Sequence, residues 1–201
     1  MKPVARAKRY DPRHFGGFDP FPSSFFSTFY RISIDMLNRT AIATPIENQD
    51  LRSALSLFAT GVAVVTGCDR DGRLVAATIN SFASVSLNPP LVLFNFSKSS
   101  SRFDDMTRMV RYSINVLKSD QMNMVSAFAT NDAAQWQKLI GVDADMTPCL
   151  DCALARFTCE PYETYGGGDH AILVGRVIGF ESDRDGHALV FFNHAYQAIK
   201  S

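Results

Sequence analysis

The sequence predicts a mainly β domain, a closed β-barrel with short helices between some of its strands. Short segments rich in β-branched and aromatic residues recur along the chain, and clusters of Gly, Pro, Asn and Asp separate them. Only a few short segments have helical periodicity. Two similar polar turns, at residues 69–72 and 183–186, fit the connections of β-hairpins. This combination is typical of a barrel with helical excursions.

Composition limits the classes of function. The 201 residues suit one domain, and 46% of them are hydrophobic, as in an ordinary globular protein. The formal net charge is zero, so the chain lacks the excess of basic residues that nucleic-acid binding needs. An anionic cofactor is still possible, because backbone amides can bind an anion without an excess of basic residues. No apolar run approaches the ~20 residues that span a bilayer. We therefore expect a cytoplasmic protein without nucleic-acid or membrane contacts.

The chain divides near residue 48. Residues 1–48 contain phenylalanines without a steady period, among several prolines. Either they are an aromatic arm that packs on a partner, or the natural start is Met36 and residues 1–35 lie upstream of it. We favour the second interpretation and expect residues 1–48 to be a poorly ordered extension. Residues 49–201 form the expected barrel domain.

A short helix is predicted at the start of this domain. Asp50 is expected to cap it, because aspartate accepts hydrogen bonds from free N–H groups at helix starts. Leu51, Leu55 and Phe58 share one face, and Gly61 suits the end of the helix.

The predicted strands follow from runs of β-forming residues between turns. Residues 91–94 are apolar on both faces, so a central, buried strand is expected there. The predicted strands lie at residues 62–66, 73–81, 84–87, 91–94, 112–117, 153–160, 171–181 and 188–192.

Further helices are expected between these strands. One follows the polar loop at residues 97–101, Ser119 is expected to cap a second, and a third is shorter. Their expected inward-facing residues are Phe103, Met106 and Val110; Met122, Val125 and Phe128; and Trp136 and Ile140.

Cys149 and Cys152 have C-x-x-C spacing, which suits redox chemistry or half of a zinc site. A structural zinc site needs four ligands, and no second pair follows at a suitable distance. We expect a reduced pair in a loop and no bound metal.

Three segments carry candidate binding residues, and each has an ordinary structural alternative. In the first, Thr78, Asn80, Ser84 and Ser86 alternate, so an extended chain would place them on one face. Such a row suits a ring system edged with carbonyls and nitrogens, such as isoalloxazine. It also fits a strand whose polar face is solvated.

The second segment, residues 97–102, places serines and Arg102 before a predicted helix. Hydroxyls, a guanidinium and free N–H groups at a helix start make a phosphate site, although a plain helix cap fits equally. The third segment is residues 166–170. Its three glycines deliver Asp169 and His170 to the mouth of a strand, where the imidazole can orient a nicotinamide or occupy an ordinary loop position.

Taken together, the segments resemble the flavin reductase-like family, the small reductase components of two-component flavin monooxygenases, built on an FMN-binding split barrel. The resemblance covers roughly residues 50–200. Its motifs are F-A-T-G-V-A-V-V-T at 58–66, T-I-N-S-F-A-S-V-S-x-N-P-P-L-V at 78–92, S-S-S-R at 99–102, Y-S-I-N-V-L at 112–117 and G-D-H at 168–170.

The resemblance implies hydride transfer from NADH or NADPH to FMN, FAD or riboflavin. It also implies a homodimer and a partner monooxygenase that receives the reduced flavin. The resemblance implies that Gly168, Asp169 and His170 bind the nicotinamide and that His170 is the catalytic residue. The implied flavin-binding residues are Thr78, Ile79, Asn80, Ser81, Phe82, Ser84, Asn95, Ser97, Ser99, Ser100, Ser101 and Arg102.

One departure from the family leaves the phosphate ligand open. Many members have S-S-R after a single Lys or Arg, whereas this chain has an extra serine, so either Ser101 or Arg102 replaces the arginine. Two other functions also remain open. One is a flavin-retaining electron carrier like flavoredoxin, without NAD(P)H turnover, and the other is a non-enzymatic ligand-binding barrel.

Overall fold

Strands dominate the computed structural model, which describes residues 46–130, 132–183 and 185–199. Residues 1–45, with most of the expected extension and Met36, lie outside the described residues. The elements below belong to the unit Glu47–Ser201. No helix in the described part of the chain combines the length and hydropathy that a membrane crossing requires.

The helices are α1 (Asn48–Leu55), α2 (Phe103–Thr107), α3 (Met122–Ala129) and α4 (Ala133–Trp136), and a 3-10 helix spans Ser119–Gln121. The strands are β1 (Thr60–Gly61), β2 (Ala63–Cys68), β3 (Leu74–Ile79), β4 (Ala83–Leu87), β5 (Pro90–Ser97), β6 (Arg111–Val116), β7 (Ile140–Val142), β8 (Pro148–Leu150), β9 (Ala155–Gly167), β10 (His170–Ser182), β11 (Leu189–Phe192) and β12 (Ala195–Ala198). The predicted mainly β fold is confirmed.

Seven strands form an antiparallel sheet in the order β3-β2-β6-β9-β10-β5-β4. The edge strands β3 and β4 are consecutive in the chain and only residues 80–82 separate them. That connection spans at most about 14 Å, whereas a flat sheet of seven strands separates its edges by about 29 Å. The sheet therefore curls into a barrel. Among the described residues no ladder joins β3 to β4, so the barrel has an open seam there.

Ser81 bridges this seam with its side chain. Its Oγ accepts a hydrogen bond from the N–H of Asn95 at 2.9 Å and donates to the carbonyl of Asn95 at 3.2 Å. A hydroxyl thus takes the two bonds that a neighbouring strand's backbone would make, which holds residues 80–82 beside β5.

Two hydrophobic clusters lie on opposite faces of the sheet. In β2, Ala63 and Val65 pack in the barrel interior, while Val64 packs in the second cluster with Phe128 and Trp136. Because side chains alternate along a strand, a strand buried on both faces is apolar throughout. The same reasoning correctly predicted burial at residues 91–94, although β5 lies one strand from the sheet edge rather than at its centre.

The two similar polar turns have different roles. Asp69 organises the first, since its carboxylate accepts hydrogen bonds from the N–H groups of Asp71 and Arg73, and the predicted hairpin of β2 and β3 is confirmed. The predicted hairpin at residues 183–186 is wrong. There β10 stays in the barrel, while β11 pairs with β1 and β12 in a separate sheet, because Leu189 belongs to the second cluster.

Several predicted helix details are also wrong. Helix α1 begins at Asn48 with Glu47 as its N-cap residue, so Asp50 lies in the first turn, and Phe58 falls beyond the helix. Helix α2 ends at Thr107, and Val110 is therefore exposed.

The helices and strands after β6 also differ from the prediction. Ser119 begins a 3-10 helix rather than capping α3, and the Gln121 side chain accepts from the Lys118 N–H. Met122 is half exposed, whereas Val125 is buried as expected. Ile140 lies in the β7–β8 hairpin instead of α4. Short apolar runs fit a helix or a strand equally well.

Candidate flavin and nicotinamide site

A cavity of about 940 Å³ opens at the barrel seam, within the range of cofactor pockets. We call it the seam cavity. Its lining residues are Leu55, Phe58, Thr60, Thr78, Ile79, Asn80, Ser81, Phe82, Ala83, Asn95, Phe96, Ser97, Ser100, Arg102, Gly167, His170 and Ile172.

The structure brings together most of the residues singled out in the sequence. Thr78, Ile79, Asn80, Ser81, Phe82, Asn95, Ser97, Ser100, Arg102 and His170 all line the seam cavity. Five others are near it in the chain but do not line it: Ser84, Ser99, Ser101, Gly168 and Asp169.

The expected polar row along residues 78–86 is interrupted. Strand β3 ends at Ile79 and β4 begins at Ala83, with a register shift between Ser84 and Ser86, so the extended path that the alternation requires is broken. Ser86 instead accepts a hydrogen bond from the N–H of Asn88. The break serves the cavity, because residues 80–82 leave the sheet and turn their side chains to the seam.

Residues 97–102, the serine loop, follow β5 and are held by local hydrogen bonds. Ser97 Oγ and Ser99 Oγ lie 2.9 Å apart, and Ser100 Oγ accepts from the Arg102 N–H. The Ser100 N–H donates to the carbonyl of Ser97. The loop thus places the hydroxyls of Ser97 and Ser100 at the cavity while Ser101 is exposed outside it.

Arg102 fastens the serine loop to the barrel and to α3. Its Nη1 donates to the carbonyl of Ala76 in β3 at 2.7 Å and to that of Phe128 at 3.0 Å, and its guanidinium lies 5.7 Å from the Trp136 ring centroid. The last carbonyls of a helix lack partners within the helix and carry its negative dipole end. Burial lowers the pKa of Arg102, but an arginine stays charged at ordinary pH.

Residues 166–170, the glycine turn, connect β9 to β10. Gly168 has φ of +67°, which favours glycine, and a Cβ on Gly167 would lie 3.3 Å from Ile172 Cγ1. His170 pairs with Gly167 on one side and with Ser97 on the other, so the turn lies directly beside the serine loop. The predicted position of His170 at the start of a strand is confirmed.

Asp169 orients the His170 imidazole. The Oδ1 atom of Asp169 lies 2.8 Å from His170 Nδ1, and this hydrogen bond holds the pKa of the Asp169 carboxyl below its usual range. With Nδ1 bonded to the carboxylate, Nε2 is the ring nitrogen left to meet a ligand. The His170 side chain is 44% exposed, which suits a substrate contact better than a core position.

An apolar wall of the cavity was missed in the sequence. Leu55 and Phe58 were predicted to share one helix face with Leu51; they are 63% and 75% exposed and line the cavity. Phe96 and Ile172 complete this wall from β5 and β10. The sequence offered one signal, the F-A-T-G motif at residues 58–61, in which an aromatic residue follows the helix; α1 itself buries none of its side chains.

The four cysteines are free and lie away from the cavity. Cys149 is buried in β8 rather than in a loop, and its Sγ accepts a hydrogen bond from Arg156 at 3.0 Å. Burial raises the pKa of the Cys149 thiol. Cys152 is exposed in the following turn.

Residues 55–200 match the family model described as "Flavin reductase like domain". Among curated relatives, the FMN reductase (NADH) SmoA of Agrobacterium fabrum is 37% identical over 169 residues, which cover 82% of this chain and 94% of the relative. The reductase component of flavin-dependent trigonelline monooxygenase from Acinetobacter baylyi is 38% identical. That alignment covers 67% of this chain but only 44% of the relative, so the chain spans less than half of that protein.

Solved structures show the same fold. BorF, the flavin reductase component of a bacterial two-component tryptophan halogenase, superimposes with a TM-score of 0.71 at 31% identity, covering 77% of this chain and 99% of that one. The NADH:FAD oxidoreductase SgcE6 of Streptomyces globisporus, solved with NAD and FAD fragments, has a TM-score of 0.70 at 28% identity, covering 79% and 98%.

Proposed function

The chain belongs to the flavin reductase-like family, and on this premise we propose that it transfers a hydride from NADH to a flavin bound in the seam cavity. One observation carries the proposal: the three segments singled out in the sequence converge on one cavity of about 940 Å³. These segments are residues 78–82, the serine loop and the glycine turn. A solvated strand face, a helix cap or an ordinary loop explains each segment by itself, but not their common position.

The cavity suits the isoalloxazine ring in shape and chemistry. Ile79, Phe82, Phe96 and Ile172 provide apolar contacts for a flat ring, and the amide of Asn80 can serve its polar edge. Thr78 donates its hydroxyl to the carbonyl of Val125 at 3.1 Å and keeps its oxygen as an acceptor. We propose that residues 78–82 hold the ring.

The serine loop suits the phosphate of the flavin. Ser97 and Ser100 present hydroxyls to the cavity, and the charge of Arg102 lies directly behind them. Because its guanidinium already donates to backbone carbonyls, we propose that Arg102 holds the loop in place and contributes charge. On this proposal Ser100 is the phosphate ligand of the S-S-S-R segment, and Ser101 is not.

The glycine turn suits the nicotinamide. His170 lines the same cavity as residues 78–82, and Asp169 binds its Nδ1 and so fixes its tautomer. We propose that Nε2 of His170 orients the nicotinamide over the flavin. Bound flavin supplies the hydride-accepting chemistry, and the contribution of these residues is to align two rings and exclude water.

Reductase components among the relatives support a partner monooxygenase that receives reduced flavin. We propose such a partner, and a homodimer whose interface covers exposed apolar side chains of the two strands on either side of β5. These are Val85 and Leu87 on β4, and Ile178 and Phe180 on β10. Exposed apolar patches of this kind mark interaction surfaces. The free thiols fit a reducing compartment, and we propose a cytoplasmic location.

The test is NADH oxidation by the full chain, followed at the nicotinamide absorbance band, without flavin and with FMN, FAD or riboflavin. Turnover is expected only when a flavin is present. A protein that shows no flavin-dependent oxidation with any of the three contradicts the proposal. Retention of a flavin through dialysis without turnover would instead indicate the electron-carrier function.

A further inference from the structure

Lys98 joins the two segments that flank the seam cavity, and its hydrogen bonds go to the glycine turn. Its backbone N–H donates to the carbonyl of Asp169 at 2.9 Å, and its Nζ donates to the carbonyl of Gly168 at 2.7 Å. One residue of the serine loop therefore binds both carbonyls at the tip of the glycine turn.

We propose that Lys98 is a positioning residue for the nicotinamide, acting by holding the glycine turn where Asp169 and His170 meet the substrate. This inference rests on the proposed nicotinamide site at residues 168–170. It assigns Lys98 a role distinct from that of the flanking serines, although a lysine beside a phosphate loop would ordinarily be assigned to the phosphate.

The position of Lys98 separates these two roles. Ser97 and Ser100 line the seam cavity, whereas Lys98 does not. Its ammonium is bonded to a carbonyl across the sheet, 70 residues away in the chain. A phosphate ligand needs its charged end at the cavity, and this one is at the tip of the turn.

The two segments differ in what else holds them. The serine loop has hydrogen bonds of its own, and Arg102 fastens it to β3 and α3. The glycine turn is exposed along residues 166–169, and within the described residues Lys98 donates the hydrogen bonds that the carbonyls of Gly168 and Asp169 accept. Loss of Lys98 should therefore loosen the turn and leave the loop in place.

The experiment compares Lys98→Met, Lys98→Arg and Lys138→Met in the full chain, with NADH as the varied substrate and FMN as the flavin. Lys138 is an exposed lysine whose side chain makes no hydrogen bond among the described residues, so its variant controls for loss of charge. For Lys98→Met the KM for NADH should rise roughly three- to tenfold, the value of one partly solvated charge-assisted hydrogen bond. The Kd for FMN should stay within about twofold, and Lys98→Arg should recover most of the KM because arginine also donates.

Hydrogen exchange of residues 166–170, measured without nicotinamide, tests the turn itself. It should be faster in Lys98→Met and unchanged in Lys138→Met. An unchanged KM in Lys98→Met overturns the proposal, and so does a loss of FMN affinity that riboflavin does not share, since that places the ammonium on the phosphate. If exchange rises while both Lys98→Met and His170→Ala leave the KM for NADH unchanged, the nicotinamide site itself has been placed wrongly.

Discussion

The serine loop and the glycine turn flank one cavity, but they are fixed to the protein in different ways. The loop is fastened by Arg102, whose guanidinium is bound by carbonyls of β3 and α3 and covered by Trp136. The glycine turn projects from the β9–β10 hairpin with its backbone exposed. A rigid site binds with a smaller ordering cost, while an exposed turn can open and close for a substrate that must exchange in every cycle.

We propose that this difference matches the two walls to the two ligands. The fixed wall suits the flavin, and the exposed wall suits the nicotinamide, which enters and leaves as a separate molecule. Substitutions in the two walls should therefore have different effects, and the expected effects differ in size.

Arg102→Met should have the largest effect, on the stability of the fold. It removes the donor for several carbonyls and the cation over Trp136, so the free energy of unfolding should fall by about 2–4 kcal/mol. Urea unfolding measures this. Arg108→Met is the matched control, because Arg108 is exposed and bonds within its own helix, and it should change stability by less than about 0.5 kcal/mol. Equal losses in both variants would show that Arg102 does not fasten the loop.

Ser100→Ala should have the next largest effect, on flavin phosphate binding. Loss of a charge-assisted hydrogen bond should weaken FMN by roughly tenfold and leave riboflavin unchanged, because riboflavin has no phosphate. Ser101→Ala, one residue along the chain and outside the cavity, should affect neither flavin. Fluorescence titration gives both Kd values. If Ser101→Ala were the damaging change, the phosphate ligand would be the other serine.

His170→Ala should have the smallest effect, and only on the nicotinamide side. Flavin affinity should be unchanged, while the rate of flavin reduction by NADH falls roughly two- to tenfold, the value of one neutral hydrogen bond. Stopped-flow reduction at several NADH concentrations separates binding from hydride transfer. His170→Gln, whose amide can place a donor near the Nε2 position, should recover part of the lost rate. A variant equal to the parent in both quantities would leave His170 without a role in turnover.

The sequence predicted the strands and the candidate segments better than their connections. Alternation and β-forming residues located most barrel strands, because those signals are local. The polar turn at residues 183–186 looked like the hairpin at 69–72, but Leu189 is drawn to the second cluster and β11 pairs elsewhere. The pairing of strands that are far apart in the sequence depends on tertiary packing, which the local residue pattern does not show.

The candidate site shows the same limit. The serines, Arg102 and the glycine turn were recognisable from their residue types, but the contacts of Arg102 with carbonyls of β3 and α3 depend on tertiary structure. Phe58 was predicted only to share a helix face with Leu51 and Leu55, because apolar spacing does not distinguish a buried face from a cavity wall. The contact of Lys98 with Gly168 could not be predicted from the sequence, because Gly168 lies in the distant turn between β9 and β10.

Hydrogen exchange with and without ligands tests the division between the two walls most directly. In the free protein, residues 166–170 should exchange faster than residues 97–102. Added FMN should slow exchange at residues 78–82 and 97–102 and leave the glycine turn nearly unchanged, and NAD⁺ added to the FMN-bound protein should then slow the glycine turn. Equal exchange of loop and turn in the free protein, or protection of the turn by FMN alone, would contradict the account.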